Sequence, residues 1–109
     1  MKVYLCGKMR GIKDLNFPRF LEAAKTLRDM GFTVFNPAEH DMMEGLDPSK
    51  DEPKELKHYM VHDLPEVCKA DMLVVLDGWE TSVGACLEIH VAKTCGITVV
   101  RMSGLEPIE

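Results

Sequence analysis

Positive charge is in short supply: thirteen basic against eighteen acidic side chains leave a formal net charge of −5. Such a chain repels a polyanion unless its bases gather on one face, so nucleic-acid binding is not expected. No apolar run approaches the roughly 18 residues of a membrane span, and the start MKVYLCGKMRG holds no stretch long enough for a secretory signal. These absences predict a cytoplasmic protein with no membrane partner. The four cysteines, Cys6, Cys68, Cys86 and Cys95, lie in apolar segments without CxxC spacing, so buried thiols are expected rather than disulfides or a zinc site. Neither GxGxxG nor GxxxxGK followed by Ser or Thr occurs, which argues against the dinucleotide-binding Rossmann and P-loop readings. Repeats and low-complexity tracts are missing too, and 109 residues leave room for one domain, 1–109, built on one core.

What is present reads as strand, helix, strand, helix, strand, helix, strand. Residues 3–7 form a short apolar run ending in glycine, as in a strand buried on both faces. Pro18 suits the first turn of a helix, and Phe20, Leu21, Ala24, Leu27 and Met30 recur at spacings of three and four until Gly31 stops it. Residues 32–37 read as a second strand. From Asn36 to His58 the apolar pattern fades into seven carboxylates, three lysines and three prolines, a polar excursion of the length used for lids and binding loops. A helix is expected over 55–69, where Pro65 can kink it, then a strand over 71–77, a helix over 82–94 and a last strand, ITVVRM. Strands alternating with helices imply a three-layer α/β sandwich with a flavodoxin-like parallel sheet of four or five strands and helices on both faces. Ligands in such sheets sit beyond the carboxyl ends of the strands, which directs attention to loops 7–17, 36–55 and 77–83.

Glu88 is the one charged residue in the run VGACLEIHVA, and a carboxylate in apolar surroundings needs either a partner, an exposed helix side or a chemical role. Asp77 follows the strand LVVL and can line the cleft directly. Asp71 precedes that strand, where capping of the preceding helix is the simpler role. The loop GKMRG offers Gly7 and Gly11, whose bare backbone can approach a ligand, with Lys8 and Arg10 able either to meet an anion or to solvate the loop. Ser82 and the free N–H groups of the helix it opens form a second anion site, next to Gly84. His58 and His62 can share a helix face, but with no third ligand evident in sequence no metal is expected. Trp79, Met42 and Met43 either flank a base ring or close over the core.

Three segments together, YLCGKMRG (4–11), ADMLVVLD (70–77) and GWETSVGACLE (78–88), with NFP at 16–18, resemble the nucleoside 2-deoxyribosyltransferase superfamily, in particular a small phage and bacterial branch. The resemblance spans the chain apart from about 40–55. It implies a flavodoxin-like sheet and cleavage or transfer of the N-glycosidic bond of deoxynucleosides, without a cofactor and in a homo-oligomer. By motif, Glu88 matches the nucleophilic carboxylate, Asp71 the aspartate opening the strand before it, and Tyr4 the tyrosine that contacts the nucleophile. The first segment is also similar to the start of the 2'-deoxynucleoside 5'-phosphate N-hydrolases, which assigns phosphate binding to Gly7, Arg10 and Gly11. The transferases carry an aspartate six residues before the nucleophile, where this chain has Ser82. A hydroxyl at a helix N-terminus suits a phosphate better than a free 5'-hydroxyl, so a nucleotide substrate is expected. In such a reaction a carboxylate beneath C1' can trap the sugar as an ester, and the leaving base needs a proton, for which Asp71 is the expected donor, or else Asp77 or Glu80. A neighbouring subunit's Ser103, Gly104 or Leu105 is where such a site would borrow a residue. Two readings of another kind stay open: a non-catalytic nucleotide-binding or sensor module, and a phosphoacceptor receiver, the latter disfavoured because Cys6-Gly7-Lys8 lacks an acidic pair for Mg²⁺.

Overall fold

The structure, a computed structural model, describes residues 1–108. Four strands, β1 (Lys2–Cys6), β2 (Thr33–Phe35), β3 (Met72–Val75) and β4 (Thr98–Arg101), pair in parallel in the order β2-β1-β3-β4. Four helices connect them: α1 (Phe17–Asp29), α2 (Pro37–Met43), α3 (Leu56–Lys69) and α4 (Val83–Thr94). The connection β1-α1-β2 and the connection β3-α4-β4 step away from the sheet centre in opposite directions. Right-handed crossovers therefore put α1 on one face and α3 and α4 on the other, with the switch point between β1 and β3.

The side chains of β1 alternate between these layers, as the pleat requires. Val3 and Leu5 join Phe17, Phe20, Ala24 and Leu27 beneath α1. Tyr4 and Cys6 point the other way and pack with Val67, Leu73, Val75, Ala85 and Ile89 under α3 and α4. A buried phenol and a buried thiol thus face the second layer from the same strand. Past β4 the tail turns back, with the Ile108 N–H donating to Val99 O at 2.9 Å, and so covers the exposed edge strand.

The polar excursion is more structured than its composition predicts. It opens with α2, because the Asn36 side chain caps the Ala38 N–H at 3.0 Å and Pro37 takes the first turn. α3 runs through Pro65 unbroken; the carbonyl the ring frees is that of Val61, on an exposed turn where water accepts the loss. The thiol expectation holds only for Cys6. Cys86, near the start of α4, is half-buried, and Cys68 and Cys95, at the carboxyl ends of α3 and α4, are exposed. No helix among the described residues is long and apolar enough to cross a membrane.

Candidate active site

A cavity of about 190 Å³ opens at the carboxyl end of β1, at the switch point, between the GKMRG loop, α3 and the start of α4. Tyr4, Glu88 and Asp63 line its inner wall, and Gly7, Lys8, Arg10, Ser82 and Gly84 line its mouth.

Glu88 is 6% exposed. α4 turns it inward among Ala85, Ile89 and Ala92, against β1. Two donors from β1 hold its carboxyl group: the Tyr4 hydroxyl donates to Oε2 at 2.7 Å, and the Cys6 thiol to Oε1 at 3.3 Å. Burial pushes the Glu88 carboxyl up to about 7, with both hydrogen bonds pulling the other way. The same burial and the Glu88 charge push the Tyr4 hydroxyl and the Cys6 thiol well above their ordinary values, so both remain protonated donors. The result is a desolvated carboxyl group with fixed orientation at the cavity floor.

Asp63 is the second carboxyl group on the wall, projecting from α3, and it is also 6% exposed. Burial, reinforced by the charges of Glu88 and Asp41, raises it to about 8, while the adjacent Tyr4 hydroxyl opposes the rise. Sequence reasoning missed this residue. Its signal is positional: Leu56, Tyr59, Met60, Asp63 and Val67 follow one helical stripe, and an aspartate inside an otherwise apolar stripe is a buried acid. Cys6 is the buried thiol that the sequence predicts, and its part as a donor to Glu88 is what the sequence did not show.

The mouth carries the positive charge. Lys8 Nζ donates to Thr81 Oγ1 at 2.8 Å. Arg10 lies 5.8 Å over the Tyr59 ring and donates to the Lys54 carbonyl, while the Lys54 N–H donates to the Tyr59 hydroxyl at 2.9 Å. The polar excursion thereby becomes one wall of the cavity. The loop itself is braced by Asn16, a buried residue of the NFP motif whose amide donates to Lys8 O at 2.9 Å. To reach that position the chain takes left-handed φ at Asp14, Leu15 and Asn16, an arrangement non-glycine residues adopt only when their surroundings impose it. Glycine at position 7 lets the loop leave β1 close to the core: a Cβ there would meet Leu76 at 3.0 Å and Phe20 at 3.2 Å, and both side chains would have to give way. Gly84 lets α3 approach, a Cβ meeting Leu56 Cδ1 at 3.1 Å. Ser82 caps α4 by accepting from the Ala85 N–H at 3.1 Å.

Other candidates lie elsewhere. Asp71 sits at the amino end of β3, exposed, and accepts the Lys2 N–H at 2.8 Å, a strand-end tie on the side of the sheet opposite the cavity mouth. Asp77 is exposed and offers its carbonyl to Arg19, Glu80 is exposed, and Trp79 packs against the core under α4. Gly11, Met42 and Met43 do not line the cavity; Gly11 takes φ +80 in the turn after Arg10. Ser103, Gly104 and Leu105 form the turn after β4 and are also outside it.

Comparison with known proteins agrees with this architecture. The chain is similar in fold to a 2-deoxyribosyltransferase from the psychrotolerant bacterium Bacillus psychrosaccharolyticus, with a TM-score of 0.67 and 22% identity over 93% of this chain and 71% of the other. No curated protein matches the sequence. Residues 1–101 match the family described as a domain of unknown function, DUF4406, so the chain belongs to that family.

Proposed function

We propose that this protein breaks or transfers the N-glycosidic bond of deoxynucleoside 5'-monophosphates or deoxynucleosides, with Glu88 as nucleophile. The observation that carries the reading is the buried Glu88 carboxyl group held by Tyr4 and Cys6 on the floor of an open cavity. Cleavage of the C1'–N bond builds positive charge on the sugar, and a desolvated carboxylate beneath C1' both stabilises that charge and captures it. Glu88 in its ionised form gives an electron pair to C1', the C1'–N pair leaves with the base, and Asp63 supplies the proton the base nitrogen takes up. The Asp63 carboxylate so formed then accepts the proton of an attacking water, or of a second base, as the Glu88 ester is released. The first outcome is hydrolysis and the second is transfer.

Asp63 takes the proton-donor role expected of Asp71 from the sequence, because Asp63 shares the cavity with Glu88 and Asp71 does not. Lys8, Arg10 and the first N–H groups of α4 beside Ser82 and Gly84 supply the charge and donors a 5'-phosphate requires. A cytoplasmic homo-oligomer fits this reading. The test is incubation of the protein with dAMP, dGMP, dCMP, dTMP and the matching nucleosides, followed by chromatography for free base. Base release that requires Glu88 is the expected result; binding of a nucleotide without any base release would favour a non-catalytic sensor module instead.

A further inference from the structure

Glu44, His58 and His62 lie outside the cavity, and no step proposed above uses them. His58 and His62 are four residues apart on α3, so their rings project from one face, 5.0 Å between centroids. The fold supplies the third donor that the sequence did not show. α2 ends at Met43, and Glu44, which caps it, arrives at the same face of α3. One ligating atom from each of the three side chains lies within 4.8 Å of the other two. Ligands held about 2.1 Å from a tetrahedral centre are about 3.4 Å apart, so the three atoms need to close by about 1.4 Å at most.

Two features outside the trio favour a cation there. His40 Nδ1 lies 3.1 Å from Glu44 Oε1, and its ring is 5.7 Å from that of His62. This is the outer partner that orients a ligating carboxylate. Asp41, on the same helix, is buried with Oδ2 unpartnered and is close enough for the charges of His40, His62, Glu44 and Lys54 to act on it. The competing cation is Lys54, whose Nζ stands 3.8 Å from Glu44 Oε2.

We propose that Glu44, His58 and His62 bind a late first-row divalent cation, with His40 positioning the carboxylate. Two imidazoles and one carboxylate suit zinc(II) or nickel(II), and the nitrogen donors disfavour calcium and magnesium. The ion would pin the end of α2 to α3. The segment between them carries Pro53 and Lys54, so the ion would also stiffen the wall against which Arg10 docks.

Calorimetric titration of the full chain with zinc chloride, and separately with nickel chloride, tests this. Cys68→Ser/Cys95→Ser serves as background, which removes exposed thiols as ligands. One ion per chain is expected. Glu44→Gln and His62→Ala should each weaken binding by about a hundredfold or more, and His40→Ala by about tenfold. His90→Ala, which removes an exposed histidine of α4, should leave binding unchanged. No saturable binding, retention of affinity in both Glu44→Gln and His62→Ala, or equal loss in His90→Ala would overturn the proposal.

Discussion

Replacing Glu88 with glutamine should stop turnover and at the same time make the protein more stable in mild alkali. Glutamine keeps the size of the side chain and an oxygen that accepts from Tyr4, but it cannot ionise. In the native protein burial raises the Glu88 carboxyl from 4.5 to about 7. A displacement of that size is worth about 3 kcal/mol between the protonation states. The sign follows from linkage: the folded pKa is the higher one, so the unfolded chain ionises first and folding is penalised as pH rises. The penalty grows from about pH 4.5 to about pH 7 and is constant above that. Glu88→Gln escapes it. Thermal unfolding of both proteins at pH 4 and pH 8.5 should show near-equal midpoints at pH 4 and a variant about 10 °C more stable at pH 8.5, since about 1 kcal/mol moves the midpoint of a domain this size by about 4 °C or more. Activity of the native protein, which needs the Glu88 carboxylate and the Asp63 proton together, should rise as pH approaches about 7 and fall above about 8, with Tyr4 and Cys6 the other titratable groups facing Glu88. A glutamine variant that is no more stable at pH 8.5, or that still releases base, would refute the reasoning.

Three further outcomes are expected. Asp63→Asn should lower kcat by about 10² or more for natural bases and much less for a substrate whose leaving group needs no proton, measured by base release from both; equal loss on the two would remove Asp63 as proton source. Arg10→Ala should raise KM for monophosphates by about tenfold and spare nucleosides, whereas equal effects in steady-state assays would count against a phosphate at the cavity mouth. Asp71→Asn should cost about 1 kcal/mol or less of stability through the Lys2 N–H tie and leave kcat within about twofold, as chemical denaturation and rate measurements together would show.

The elements that a single physical period dictates were legible in the sequence. β1, β3 and β4 are short apolar runs between glycines and polar residues, and α1 carries an unbroken stripe from Phe20 to Leu27. α2 was not legible, because Asp41 occupies an inward position of a seven-residue helix and leaves too few apolar side chains to establish the period. Glu88 stood out because the residues beside it, Leu87 and Ile89, and those one turn away, Gly84, Ala85, Val91 and Ala92, carry no polar side chain. Asp63 did not, since His58, His62 and Lys57 around it make α3 polar in composition, and only the stripe through Leu56, Tyr59 and Met60 marks its inward side. Cys6 as a donor to Glu88 required the sheet register, which places Tyr4 and Cys6 on the face that meets α4 across 82 residues of chain. Pairings over that separation leave no local trace.

The central claim is that Glu88 becomes covalently attached to the sugar. Acid quenching during turnover of a deoxynucleoside 5'-monophosphate, followed by peptide mass mapping, measures it directly. A deoxyribosyl 5'-phosphate increment on Glu88, missing from Glu88→Gln, is the expected result. An increment on another residue, or base release by Glu88→Gln at the native rate, would contradict it.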